Sequence, residues 1–347
     1  MGKIKVLIVD DSAFVRSVFL EKLSQDSEIE VVGAAEDAYI AKDMIRDLDP
    51  EIILLDIEMP RMNGLTFLER IMRTTPKKVI IVSSLAEQGG EIALKALELG
   101  ALEVIAKPGE AYSVEEMVDQ LIDKIKAVHS ISIDKSKEHI PALFDKHKTS
   151  GNKSLVRATN KIIAIGASTG GTEAIQYILE RMPVNCPPII IVQHMPHYFT
   201  KSFANRLNDV CEIKVKEAEN REIIAPGKAL IAPGNMHMEL SKSGVIYNVR
   251  LMDGPLVYRQ RPAVERLFQS TAQYAGKNAI GVILTGMGKD GAQGLLKMKE
   301  EGSYNIAQDE KSCVVFGMPK EAIEIGAVHK ILPLNQIAQE IIKESER

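Results

Sequence analysis

Cysteine is scarce in this sequence. The three present, Cys186, Cys211 and Cys313, are odd in number and show no Cys-x-x-Cys spacing, which argues against a disulfide framework and a zinc site alike. They read as buried thiols. Long apolar runs are missing too: Val79 to Val82 and Ile189 to Val192 are strand-length, far short of the roughly 20 residues a membrane-spanning helix requires. At the start, Asp10 and Asp11 cut off the apolar stretch before a signal-peptide core can form. A cytoplasmic protein without membrane insertion is therefore expected. Excess positive charge is the third absence. The formal net charge is −4, with 15 basic and 24 acidic residues in positions 1–128 against 22 and 20 in positions 161–347. That distribution disfavours nucleic acid as a partner and suits a cation-binding first domain.

What the sequence does contain is a steady alternation of short apolar runs and amphipathic stretches. At 347 residues, 45% of them hydrophobic, it is long enough for two domains with separate cores. From Lys3 to Val128 the runs KVLIV, EVVGAA, EIILLD, KVIIVSS and LEVIAK lack polar alternation, the mark of strands buried on both faces. Five strand-plus-helix units predict a doubly wound parallel sheet, whose ligands bind outside the carboxyl ends of the strands. The rhythm lapses over 129–160, which reads as a linker with solvated histidines (His129, His139, His147) and a short apolar patch at Ile140–Phe144. It resumes at Lys161 with KIIAIGAS, PPIIIVQHM, EIKVKEA, KALIAP, AIGVILTGMG and SYNIAQ, and with helical stretches near 174–182, 200–207 and 291–300. The second domain, 161–347, is again α/β.

Two groups of residues fall at strand ends. In the first domain these are Asp10 and Asp11, Asp56, Ser83, and Lys107 followed by Pro108. Three converging carboxylates can hold a magnesium ion, Lys107 and Ser83 can contact a phosphoryl group, and the central Asp56 is the natural nucleophile. Any one aspartate could simply cap a helix, but the ordered set is hard to explain that way. This set, with Ile57-Glu58-Met59-Pro60 and Asn63-Gly64, resembles the response-regulator receiver domains. The resemblance implies a flavodoxin-like fold for residues 1–128 and transfer of phosphate from a histidine kinase to Asp56. Only X-Pro bonds turn cis at modest cost, so a cis bond is expected at Lys107-Pro108.

In the second domain, Gly166-Ala167-Ser168-Thr169-Gly170-Gly171 follows a strand and precedes a helix, matching the G-x-S-x-G nucleophile turn. Its glycines are expected where side chains would crowd a substrate. Taken alone, the loop could equally cradle a phosphate. His194 ends the next strand and is placed to act as a base beside Ser168, and Asp290 follows the strand IGVIL and could orient the imidazole. His194-Met195-Pro196-His197 offers two histidines three apart, without a nearby carboxylate pair to complete a metal site. His197 and His237 are expected in the substrate cleft or at the surface.

Residues 161–343 resemble the catalytic domain of the CheB family, the chemotaxis protein-glutamate methylesterases. The matching stretches are GASTGG, QHM with FTKSFANRL, APGNMHM, RPAVERLF, ILTGMGKDGAQGLL, IAQDE and VVFGMP. The resemblance implies a Rossmann-like α/β domain with Ser168 as nucleophile, His194 as general base and Asp290 as orienting acid. It further implies that the Met287 N–H binds the oxyanion and that Thr169 helps position the substrate. The implied activity is phosphorylation-activated hydrolysis of glutamate γ-methyl esters on chemoreceptor helices, with deamidation of receptor glutamines. Magnesium would serve the receiver, and the ester step would need no cofactor. Glu265, Thr172 and Asn305 depart from the family pattern without touching the triad. A receiver-controlled hydrolase for another ester, or a non-enzymatic binding output, are the alternatives.

Overall fold

The computed structural model describes residues 2–83, 87–107, 114–131 and 160–347. The chain divides into two compact units, Met1–Ser136 and Lys137–Arg347. Most of the expected linker, with its apolar patch, His139 and His147, lies outside the described residues, as does Pro108 with its expected cis bond.

The first unit alternates strands β1 (Ile4–Val9), β2 (Ile29–Ala35), β3 (Ile52–Asp56), β4 (Lys78–Ser83) and β5 (Glu103–Ala106) with helices. These are α1 (Ala13–Leu23), α2 (Ala38–Leu48), α3 (Gly64–Thr74), α4 (Glu87–Glu98) and α5 (Val114–His129). The strands pair in parallel in the order β2-β1-β3-β4-β5. All five β3 residues are buried, as an apolar run covered on both faces requires. Three of the helices start on side-chain caps: Ser12 accepts from the Val15 N–H, Asp37 from Tyr39 and Ile40, and Asn63 from Thr66. His129, expected in a solvated linker, is instead the last residue of α5. It is half-exposed, with Nε2 3.1 Å from Glu51 Oε1.

The second unit carries a seven-stranded, all-parallel sheet. Its elements run β6 (Ile162–Ala167), α6 (Gly171–Leu179), β7 (Ile189–Gln193), α7 (Phe199–Val210), β8 (Lys214–Glu217) and β9 (Lys228–Ile231). A hairpin of β10 (His237–Ser243) and β11 (Ile246–Met252) follows, then α8 (Val264–Ala275), β12 (Ala279–Ile283), α9 (Ala292–Glu300) and β13 (Tyr304–Gln308). Last come α10 (Met318–Glu324), β14 (Lys330–Leu332) and α11 (Leu334–Ser345). The strand order is β14-β13-β12-β6-β7-β9-β8. Both α/β units are therefore doubly wound, as the run pattern predicts. The core contains Ile162, Ala164, Ile190, Val192, Leu267, Phe268 and Ile283.

The order in which strands are added reverses between β1 and β3 in the first sheet and between β6 and β12 in the second, and each switch point opens a crevice at the carboxyl ends. Asp10 and Asp56 border the first crevice, and Ser168 and the loop after β12 border the second. Two expectations about cysteine and histidine need correction. Cys186 and Cys313 are buried, but Cys211 at the end of α7 is partly exposed. His237 is not at the surface but fully buried.

Candidate active site

In the first unit, the strand ends bring Asp10, Asp11 and Asp56 together, with one ligand oxygen from each lying within 4.8 Å of the others. Three carboxylate oxygens in that arrangement suit a hard divalent cation such as magnesium. Lys107 Nζ lies 2.9 Å from Asp10 Oδ2 and 2.7 Å from Asp56 Oδ2. Burial pushes the Asp56 carboxyl up to about 6, against the Lys107 hydrogen bond and charge, with Asp10 adding to the rise. Lys107 loses affinity for its proton through burial but regains more from the two carboxylates, and ends above the usual lysine range. Ser83 is buried at the end of β4, and its carbonyl accepts the Lys107 N–H at 2.7 Å. A buried carboxylate held against one ammonium, with an acidic pocket beside it, can accept a phosphoryl group.

In the second unit, Ser168 follows β6 and its backbone is fixed on both sides. Its N–H donates to the Thr285 carbonyl at 3.0 Å, and its carbonyl accepts from the Gly171 N–H at 2.7 Å. Gly170, at φ +76°, turns the chain into α6, which has no side-chain cap of its own. The glycines were expected to spare a substrate, but they make room for the protein. A Cβ at Gly170 would lie 2.5 Å from Val314, and one at Gly166 would lie 2.2 Å from Val264 Cγ1.

His194 immediately follows β7, and its N–H donates to the Ala167 carbonyl at 3.1 Å, which ties it to the nucleophile's strand. Its ring is buried and Nε2 lies 2.7 Å from Asp290 Oδ2. With Nε2–H donating to the carboxylate, Nδ1 is the nitrogen left to accept a proton. These ring positions are the reverse of those in the trypsin-like triad.

Asp290 does more than face His194. Its Oδ2 also accepts the Val264 N–H at 2.8 Å and its Oδ1 the Glu265 N–H at 2.8 Å, so Glu265, expected to stand clear of these residues, touches Asp290 through its backbone. The carboxylate therefore caps α8, whose cap position, Ala263, supplies no side-chain bond. An aspartate in a glycine-rich turn often serves only its own turn, whereas this one orients an imidazole and starts a helix.

Thr285 and Gln193, which motif reasoning passed over, complete the frame. The buried Thr285 hydroxyl donates to the Thr169 carbonyl at 2.9 Å and accepts the Val315 N–H at 2.9 Å. A polar residue ending an otherwise all-apolar strand, as Gln193 does in IIIVQ, was the available signal. Of the two residues expected to handle the substrate, Thr169 is buried next to Ser168. Met287 follows Gly286, where a Cβ would sit 2.7 Å from Ser168 Cβ, so the Met287 backbone runs past the nucleophile.

His237 lies under the same helix start: Nε2 is 2.9 Å from the Pro255 carbonyl, and Nδ1 accepts the Ala263 N–H at 3.3 Å. That arrangement needs a neutral ring. Burial holds its pKa below the usual histidine value, and Arg266 and Arg261 add to the effect. A depressed value means that the stability it contributes is present above pH 6.5 and lost as pH falls through its folded value. The full-length protein should therefore lose unfolding temperature between pH 7 and pH 5, and His237→Gln should flatten that dependence. An unchanged slope in the variant would refute the assignment. His197, partly buried, lies against Tyr198 with ring centroids 4.2 Å apart and the ring planes tilted by 50°.

Residues 163–341 match the family model described as CheB methylesterase, and residues 6–119 match that of the response regulator receiver domain. The chain belongs to the CheB methylesterase family. A protein-glutamate methylesterase/protein-glutamine glutaminase of Syntrophus aciditrophicus is 55% identical over 99% of both chains. One from Methylobacillus flagellatus is 51% identical over 98% of this chain and 96% of its own. The crystal structure of the Thermotoga maritima CheB methylesterase catalytic domain covers 54% of this chain and 99% of its own, at 42% identity and a TM-score of 0.52. Among the described residues no helix is long and apolar enough to cross a membrane.

Proposed function

We propose that this CheB-family protein hydrolyses glutamate γ-methyl esters on chemoreceptor helices in the cytoplasm, with Ser168, His194 and Asp290 as its triad. The observation that carries the reading is the buried 2.7 Å His194–Asp290 pair, beside a serine whose backbone is fixed on both sides. Ser168 Oγ attacks the ester carbonyl carbon while His194 Nδ1 takes its proton, and Asp290 stabilises the imidazolium. The Met287 N–H, in the loop after β12, receives the developing oxyanion, and Thr169 orients the carbonyl. Collapse of the tetrahedral species returns the proton from His194 to the leaving methoxide, giving methanol and an acyl-serine. Water then attacks the acyl carbon, His194 takes a proton from it, and glutamate leaves as Ser168 is reprotonated. A glutamine side chain enters the same cycle with ammonia as leaving group, which is the glutaminase activity.

The first unit controls this output as a receiver. Asp56 Oδ accepts a phosphoryl group from a histidine kinase, while Lys107 and Ser83 contact its oxygens. Magnesium, when held by Asp10, Asp11 and Asp56, supplies neutralisation of the phosphoryl charge. Phosphodonor with magnesium should raise methanol release from methylated receptors in the wild type and leave Asp56→Asn at its basal rate. Removing magnesium with a chelator should have the same effect as the substitution. Stimulation that survives in Asp56→Asn would disprove the receiver assignment.

A further inference from the structure

Gln193, the last residue of β7, is 2% exposed and has no role in the reaction scheme above. Its carboxamide Nε2 lies 2.9 Å from the Ser168 carbonyl and 3.3 Å from the His194 carbonyl. An amide NH2 carries two hydrogens, one available for each acceptor. Counting the Gly171 N–H, both lone pairs of the Ser168 carbonyl are then used. The other carboxamide atom, Oε1, is buried without a hydrogen-bond partner among the described residues. It fills the space in front of Gly171, where a Cβ would lie 2.1 Å from it. An unpartnered buried carbonyl is costly, so its retention at this point asks for a compensating role.

We infer that Gln193 is a positioning residue whose single carboxamide ties the backbone of the nucleophile to that of the base, and that Gly171 is the residue that makes room for it. The inference rests on Ser168 and His194 being the reacting pair. Strands β6 and β7 are in register up to Ala167 opposite Gln193, and the two reacting residues lie one step beyond that last pair. At that point the carboxamide sets the offset between hydroxyl and imidazole. A displacement of about 1 Å between reacting groups costs on the order of 100-fold in rate.

The test uses the full-length protein in two assays: methyl ester hydrolysis on receptor membranes, and modification of Ser168 by a sulfonyl fluoride, read by intact mass. Gln193→Ala and Gln193→Glu, which lack the paired donors, are expected to lower kcat about 10- to 100-fold with KM within about twofold of wild type, and to slow sulfonylation in parallel. Gly171→Ala is the independent variant should Gln193→Ala fold poorly. It leaves Gln193 in the sequence but displaces its carboxamide, so it should cost a similar factor. In the Gln193→Ala background the same change should cost only a few-fold, the remainder being the Ala167 methyl, 2.7 Å from the new Cβ. Penalties that multiply independently, or Gln193 variants that keep wild-type kcat while Ser168→Ala is inactive, would overturn the inference. Full activity in Ser168→Ala would instead overturn the assignment of the nucleophile.

Discussion

Ser168→Ala is expected to lower methyl ester hydrolysis by about 10,000-fold or more while leaving the fold intact. The serine is 3% exposed, and its N–H and carbonyl make backbone bonds to Thr285 and Gly171 that do not depend on the hydroxyl. The variant should therefore unfold within about a degree of wild type and still bind receptor membranes, with the loss confined to kcat. What survives would come from oxyanion stabilisation and binding alone. A variant retaining more than a few per cent of wild-type kcat would place the nucleophile elsewhere. Parallel loss of activity and unfolding temperature would mean that the hydroxyl serves the fold.

Asp290→Asn is expected to cost both rate and stability, an unusual pairing for a catalytic substitution. The carboxylate accepts from His194 Nε2, the Val264 N–H and the Glu265 N–H. Asparagine keeps one acceptor oxygen, and its NH2 must take the place of Oδ2, facing both the imidazole and the Val264 N–H, or of Oδ1, facing the Glu265 N–H. If it faces the imidazole, Nε2 must become the acceptor, which puts the proton on Nδ1 and removes the base. A fall in kcat of about 1,000- to 10,000-fold follows. In either place a backbone N–H of α8 is left buried and unpaired, that of Val264 or that of Glu265, a loss of about 1–3 kcal/mol. Urea unfolding and steady-state kinetics on the same preparation separate the two effects. Lost activity at wild-type stability would mean that the cap on α8 is unimportant, and intact activity would remove Asp290 from the triad.

Much of this was legible before any coordinates. Runs such as EIILLD, KIIAIGAS and AIGVIL are apolar without alternation, which only strands buried on both faces tolerate, and parallel topology then puts Asp56, Ser168 and His194 at strand ends. Other elements were less legible, for physical reasons. The hairpin of β10 and β11 is half-exposed, with Ile246 at 49% and Val245 at 90%, so its alternation is diluted by residues facing solvent. Helix α8 carries a readable stripe of Val264, Leu267, Phe268, Thr271 and Ala275, but its start gives no capping signal because the cap comes from Asp290, 26 residues away. Long-range polar contacts of this kind leave no local pattern. The same limit hid the Thr285 hydroxyl, and it hid the burial of His237 under the helix start. The glycines of GASTGG were recognised as tight but assigned to the wrong neighbour, since only packed coordinates show Val314 and Val264 lying against them.

The central claim is that a phosphate-controlled serine hydrolase acts here on receptor glutamyl esters. Methanol release from methylated chemoreceptor membranes by the wild-type protein, with and without a small phosphodonor and magnesium, tests it most directly. Release that rises with the phosphodonor is the predicted result. Absence of methanol under both conditions, from protein whose Ser168 still reacts with a sulfonyl fluoride, would contradict it and point to a different ester.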